Sequence, residues 1–219
     1  MRDWHLTQSD PYTLRLAADV RLGPTDYADD HIWQLELAGA DPAALTVHTT
    51  YGLRARDMRL FFGFAEGDQQ VTDPAAYAVP PAVRAFYVNY VRLTFQPFAG
   101  LDVAADYWVP DSHTLAGQLT VTNQSAEPRS LSLQLSALLK PLDNPQPMAP
   151  TQLDIFGGAG LLEGRTGNLD ILVLLEGPAQ ITEAAIPTLV RPLELAPGEV
   201  IVVRWVQAAS TSPTRRYAT

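Results

Sequence analysis

Residues 101–141 read LDVAADYWVPDSHTLAGQLTVTNQSAEPRSLSLQLSALLKP. Apolar and polar side chains alternate through this stretch in three runs. In the first, Leu101, Val103, Ala105, Tyr107 and Val109 share one face, and Asp102, Ala104, Asp106 and Trp108 share the other. In the second, Leu115, Gly117, Leu119 and Val121 oppose Thr114, Gln118, Thr120 and Thr122; in the third, Leu131, Leu133, Leu135 and Ala137 oppose Ser130, Ser132, Gln134 and Ser136. A side-chain period of two specifies a strand with one buried and one wet face. Thr- and Ser-rich outer faces beside Leu/Val inner faces specify an antiparallel sandwich sheet. The two joints, Pro110-Asp111-Ser112 and the run from Asn123 to Pro128, consist of residues that set or tolerate turn dihedrals.

The same pattern extends outward in both directions. Toward the N-terminus, residues 12–22 alternate and predict a strand, and Trp33–Leu37 and Leu45–Tyr51 predict two more, so the first 52 residues read as a three-strand meander with a turn at Gly39–Ala44. A fourth strand is predicted over Arg59–Ala65. Residues 68–81 hold three prolines and read as a long loop, of the kind that is often functional. Val83–Phe95 reads as one long strand with aromatic residues on both faces. Toward the C-terminus, residues 142–152 (LDNPQPMAPTQ) read as a proline-rich link, either a crossover between sheets or a sub-domain boundary. Gly157, Gly158 and Gly160 read as a turn and not a phosphate cradle, because no Lys-Ser/Thr follows them. Strands are predicted over Leu169–Leu175, more weakly over Gln180–Ile186, and finally over Val200–Val206. The expectation is an all-β, large two-sheet antiparallel β-sandwich of about ten to fourteen strands with little helix. Residues 1–210 form a single unit in this reading, and 211–219 are a polar tail or the start of a linker to a missing domain.

Composition narrows the function classes. The 24 acidic residues outnumber the 15 basic ones, giving a net charge of -9 and no concentrated basic patch, which argues against nucleic acid. Lys140 is the only lysine. No cysteine is present, so thiolate chemistry and disulfides are excluded. No run approaches the ~20 apolar residues of a membrane helix, and no signal-peptide core is visible, so the expectation is a cytoplasmic chain without membrane partners.

Candidate chemistry is sparse. The four histidines, His5, His31, His48 and His113, lack helical ligand spacing and read as scattered surface residues, so no metal or other cofactor is expected. Asp111, Ser112 and His113 include all three triad residue types, but sequence neighbours cannot form a triad, whose members come from separate elements. Asp102 and Asp106 lie roughly 13 Å apart along one strand, too far for a glycosidase carboxylate pair. Trp108 shares their face. An indole beside carboxylates can hold a sugar ring, although cover by another sheet, loop or domain is the favoured reading.

Residues 87–141, with the YWVPDSH turn at 107–113, the GQLTVTNQS approach at 117–125 and the closing LAPGEVIVVRW strand at 195–205, resemble the N-terminal β-sandwich, or supersandwich, of bacterial glycoside hydrolases and glycogen-debranching-like enzymes. The resemblance implies a non-catalytic accessory domain that packs on a helical-barrel catalytic domain of the same parent chain and shapes its substrate cleft. It supplies no catalytic residues. Trp108, Asp106, Asp102, Asp111, His113 and Tyr77 are the candidates for contact with that domain or with an oligo- or polysaccharide. Two alternatives stand beside it: an autonomous carbohydrate-binding module, and a free-standing mutarotase-like epimerase. The epimerase reading gains if His48 or His113 lies within hydrogen-bond reach of a buried Asp or Glu.

Overall fold

The computed structural model describes residues 4–5, 13–37, 45–143, 145–152, 159–182 and 185–211. In chain order the strands are β1 (Trp4–His5), β2 (Thr13–Leu16), β3 (Trp33–Glu36), β4 (Thr46–Thr49), β5 (Ala55–Glu66) and β6 (Gln69–Val71). There follow β7 (Val79–Tyr87), β8 (Tyr90–Gln96), β9 (Leu101–Asp111), β10 (Thr114–Asn123), β11 (Arg129–Pro141) and β12 (Gln146–Gln152). The last are β13 (Ala159–Thr166), β14 (Leu169–Pro178), β15 (Gln180–Thr182), β16 (Thr188–Leu195) and β17 (Val200–Thr211). One sheet runs β1-β7-β8-β9-β10-β17-β14-β13-β12, and the other runs β15-β16-β11-β5-β4-β3-β2 with β6 beside β5. The ladders are antiparallel, as in β9–β10 and β11–β5. The expected two-sheet sandwich is therefore the fold, with more strands than expected because short edge strands such as β1, β6 and β15 carry too few residues to show a period.

The inner faces form one apolar core. Every odd-numbered residue from Leu101 to Val109 is buried, as are Trp33 and Tyr51, while Asp102, Ala104 and Trp108 sit half-buried on the outer face. Each fully buried Leu, Val or Phe adds about 1.5–3 kcal/mol, so the alternation itself drives the two sheets together. Trp205 is packed edge-on to Phe62 and Tyr107 at centroid distances of 5.7 and 5.6 Å. Gly117 lies under its indole, where a Cβ would come within 2.4 Å of the ring.

Four expectations are corrected, each for a local reason. The strand expected over 12–22 ends at Leu16: the Ala17 amide leaves the ladder for the Val88 carbonyl (2.9 Å), and Asp19 then caps a turn by accepting at its carbonyl from Leu22 and Gly23. Val83–Phe95 is a hairpin of β7 and β8 in which Tyr87 faces Tyr90 across a turn at Val88-Asn89. The 68–81 loop contains β6, a 3-10 turn at Pro74–Ala76 and the start of β7; Gly67, at φ +56°, turns β5 directly into β6. The proline-rich link is the crossover between sheets that one of its two readings expected, and is corrected only in that it holds β12, an outermost strand of its sheet, where prolines are tolerated. The Gly39–Ala44 turn, Gly157, Gly158 and residues 212–219 lie outside the described residues.

Consecutive strands change sheet several times, and two of these corners, β10 to β11 and β16 to β17, close on Asn123. Its buried Nδ2 donates to the carbonyls of Glu127 (2.8 Å), Leu195 (3.1 Å) and Ala196 (3.2 Å), and its Oδ1 accepts from the Ser125 amide and hydroxyl. The Asn123 amide donates to Glu199 and its carbonyl accepts from Gly198. No helix of the described residues is long and apolar enough to cross a membrane. Asn123→Ala, which strips a partner from the buried Leu195 carbonyl and from two part-buried carbonyls, is expected to destabilise the fold by about 3 kcal/mol in a urea titration; a loss under about 1 kcal/mol would show that water replaces the amide.

Candidate active site

At one end of the sandwich, segments far apart in sequence are tied together by backbone hydrogen bonds. The 17–32 loop crosses the β9–β10 turn, where the His31 amide donates to the Ser112 carbonyl (2.9 Å) and the Asp26 amide to Ser112 Oγ (2.6 Å). Thr49 Oγ1 donates to the Ile32 carbonyl (2.8 Å). Thr166, between β13 and β14, donates through Oγ1 to the Arg54 carbonyl at 2.5 Å.

The turn before β5 is strained. Tyr51, Gly52 and Leu53 have φ of +50°, +66° and +69°, a left-handed conformation that costs about 1–3 kcal/mol at each of the two non-glycine residues. Burial and hydrogen bonds hold it. The Tyr51 ring is fully buried, its hydroxyl accepts from Gln207 Nε2 (2.6 Å), and its amide donates to Thr49 Oγ1 (3.2 Å). Arg54 Nε then donates to the Tyr51 carbonyl (2.8 Å), which aims the guanidinium out of the turn.

That guanidinium meets an acidic and imidazole cluster. Arg54 Nη2 pairs with Asp29 Oδ1 and donates to His31 Nε2 (2.8 Å); His113 Nε2 lies 3.1 Å from Asp29 Oδ2. The rings of His31 and His113 meet edge to face at 4.8 Å. An arginine only donates, so His31 Nε2 accepts and its Nδ1 carries the proton. His31 is sealed against Trp33 and Tyr51, and burial, aided by His113, lowers its pKa to about 4. It is a neutral positioning ring. His113 differs. Asp29 accepts from its Nε2–H, which leaves Nδ1 with the lone pair, and the side chain is partly open to solvent. Asp29, His31 and His113 bring ligand atoms within 4.8 Å of one another, a set that suits a divalent metal. Here the Arg54 guanidinium already neutralises them, so the protein supplies the positive charge itself.

His113 is the one sequence candidate in this cluster. Its neighbours Asp111 and Ser112 serve the turn, Asp111 Oδ1 accepting from the His113 amide (2.9 Å) and Ser112 lying buried under the loop. Asp106 sits on the outer face of β9, accepting from Arg92, Tyr90 and Gln118; burial alone would raise its pKa, but these hydrogen bonds outweigh it and hold the carboxyl below its usual range. Asp102 accepts from Gln96 Nε2 (2.6 Å), and Trp108 stands between Tyr90 and Ala116 on the same face. Tyr77 is corrected: its ring is buried and stacked on Phe95 at 5.2 Å, so it offers no surface to a partner. The reading of the histidines as surface residues is also corrected, since His31 is wholly buried and His48 Nε2 lies 2.8 Å from buried Asp57 Oδ1 on the outer face of the other sheet. Asp29, His31 and Arg54 are the residues sequence reasoning missed; the available signal was an acid-rich loop ending in a histidine.

No family model and no curated protein matches the sequence. Among solved structures, the fold is similar to that of a protein bearing the name of an aldose 1-epimerase, from Escherichia coli K12, with a TM-score of 0.56 at 9% identity over 92% of this chain and 100% of that one. It is also similar to a Synechocystis sp. PCC 6803 protein, with a TM-score of 0.58 at 12% identity over 97% and 100% of the two chains. A protein from the human microbiome bearing the name of a kojibiose phosphorylase aligns 82% of this chain with 23% of its own at 9% identity, and its TM-score of 0.47 is too low to carry an argument. At these identities the likeness is one of fold.

The state of His31 sets a pH dependence. Its folded pKa lies below the ordinary 6.5, so its contribution to stability is full above about pH 6.5 and is lost as the pH falls to about 4, where the unfolded chain alone gains the proton. Thermal melts from pH 7.5 to 4 should show a drop in Tm that His31→Asn makes shallower; parallel curves would rule this out.

Proposed function

We propose that the chain is a sugar-handling β-sandwich whose end carries an acid–base site of the aldose 1-epimerase kind. The observation that carries this reading is His113 Nε2 at 3.1 Å from Asp29 Oδ2, with Arg54 on the same carboxylate. An oriented imidazole with a free Nδ1 can take up and return a proton. Interconverting the anomers of an aldose needs little more. His113 Nδ1 takes the proton from the anomeric hydroxyl as the carbonyl forms and the bond from the anomeric carbon to the ring oxygen breaks. The imidazolium returns the same proton to the ring oxygen, giving the open-chain aldehyde. Rotation of the aldehyde and reversal of both transfers closes the other anomer. Asp29 stabilises the transient imidazolium, and Arg54 pairs with the same carboxylate and holds it in place. The fold is also one used by a protein bearing the aldose 1-epimerase name, matched over the whole of that chain.

A second reading keeps the sandwich as the accessory domain of a longer carbohydrate-active enzyme, packed on a helical-barrel catalytic domain. What favours it is a group of exposed apolar side chains in the loops that build the same end: Tyr27 (79% exposed), Ile32, Leu53 (79%), Tyr87 and Val88. Such a rim suits a covering partner as well as a sugar ring.

Polarimetry of freshly dissolved α-D-glucose and α-D-galactose separates the two. The first reading expects the isolated chain to speed mutarotation of at least one sugar, His113→Ala to remove about 100-fold of that acceleration or more, and His48→Ala to keep it. If the chain leaves the spontaneous rate unchanged, the epimerase reading fails and the accessory reading stands.

A further inference from the structure

The outer face of the nine-stranded sheet carries a second feature that the acid–base site does not use. Between β7 and β10 lies an open groove of about 430 Å³ whose lining includes Thr94, Gln96, Asp102, Ala104, Thr120 and Thr122. These six come from three adjacent strands in register: Thr94 faces Ala104, Ala104 faces Thr120, and Asp102 faces Thr122. Ala104 lies between the two threonines and forms a low floor, so the hydroxyls stand as walls. Gln96 Nε2 is held on Asp102 Oδ1 at 2.6 Å, which fixes one amide and one carboxylate at the end of the groove.

Further along β9 the same face changes character without changing charge. Asp106 is paired with Arg92 and also accepts from Tyr90 (2.5 Å) and Gln118 (3.2 Å). On the far side of β10, Arg204 lies opposite Gln118 and pairs with Glu176 at 3.3 Å. Arg92 and Arg204 are each answered by a carboxylate, and Arg84, in the groove lining, donates to Thr94 Oγ1 (2.7 Å). Beyond this row, Trp108 stands between Tyr90 and Ala116 and presents an indole next to a small residue.

Side chains on one face of a strand recur about every 6.8 Å, and neighbouring strands lie about 4.8 Å apart. From Asp102 to Trp108 the surface therefore runs for about 20 Å, longer than one sugar ring. We infer that this face binds a neutral oligosaccharide laid along β9, with Trp108 stacking on a ring at one end and the Thr, Gln and Asp side chains hydrogen-bonding hydroxyls in the groove. Threonine hydroxyls and a glutamine amide both donate and accept, as sugar hydroxyls do. The groove lining holds one cation, Arg84, and one carboxylate, Asp102, and the pairs beyond it are closed, so the face carries little net charge to attract an ion. The inference is independent of the catalytic reading, because no group of the Asp29–His113 cluster lies on this face.

The test is isothermal titration of the whole chain with maltohexaose, cellohexaose and xylohexaose, with hexagalacturonate as a charged counterpart of similar length. The expected result is binding of at least one neutral hexaose, weakened about tenfold or more by Trp108→Ala and also weakened by Gln118→Ala and by Thr120→Ala. Circular dichroism and Tm establish that each variant is folded, and the two milder substitutions keep the test valid if Trp108→Ala is not. His113→Ala should bind the hexaose as the parent does, which separates this inference from the fate of the epimerase reading. Absence of binding to all three neutral hexaoses, tighter binding of hexagalacturonate, or binding indifferent to all three substitutions on this face would overturn it.

Discussion

A two-sheet sandwich is stable only if the chain can leave one sheet and enter the other without stranding buried backbone polar groups, and in this protein that constraint converges on one side chain. Asn123 ends β10, the last residue before the crossing to β11, and its amide reaches the carbonyls at the end of β16, where the chain crosses back. The Leu195 carbonyl is buried and needs a donor that water cannot replace, and the Asn123 amide, itself with no exposed surface, supplies it while also reaching the Glu127 and Ala196 carbonyls. One amide serves both crossings, and this fixes β17 beside β10, in the middle of the nine-stranded sheet. The Trp205 indole can then lie over Gly117, where any larger residue would collide with it.

The opposite end of the sandwich is built by different means, and the difference accounts for its chemistry. There the joints are held by side chains that are strained or charged. The left-handed turn at Tyr51-Gly52-Leu53 is unfavourable by itself, and it survives because the Tyr51 ring is locked in the core by Gln207, a residue of β17. The same strand thus supports both ends. Strain held by a rigid core gives Arg54 a fixed direction, and a fixed cation holds the Asp29 carboxylate close to His113. A flexible loop would let the three groups find separate water.

The strands were legible in the sequence wherever one face is buried and the other wet. Residues 101–141 are the best case, since every odd-numbered position from Leu101 to Val109 is buried as the alternation requires. Reading failed where local rules were overridden. Val20 and Leu22 continue a perfect alternation, yet they are 58% and 73% exposed, because Ala17 bonds to Val88 and draws the chain out of the sheet. The hairpin at Val88-Asn89 was hidden by aromatic residues on both sides, and β12 was hidden by prolines that only an edge allows. The site was the least legible part. His113, Asp29 and Arg54 are brought together by tertiary hydrogen bonds across 84 and 25 residues of sequence, and no spacing rule spans such distances. Asp111-Ser112-His113 drew attention through residue type, although only His113 joins the cluster.

Charge pairing links the two surfaces and bears on what they can recognise. The chain is strongly acidic, with a net charge of -9, yet its functional surfaces are not. Asp29 is answered by Arg54, Asp106 by Arg92, Glu176 by Arg204, and Glu66 by Arg129. The planar guanidinium fork suits such pairs, since two N–H groups can meet both oxygens of one carboxylate, as Arg92 meets Asp106 and Arg129 meets Glu66. Of the 15 basic residues 14 are arginine, and in the fold several of them close carboxylates that would otherwise repel an uncharged but polar ligand's acceptor oxygens. A surface with its charges paired internally discriminates by hydrogen-bond geometry and apolar contact, not by field. A neutral polyol meets that requirement, both beside the proposed His113 shuttle and along β9.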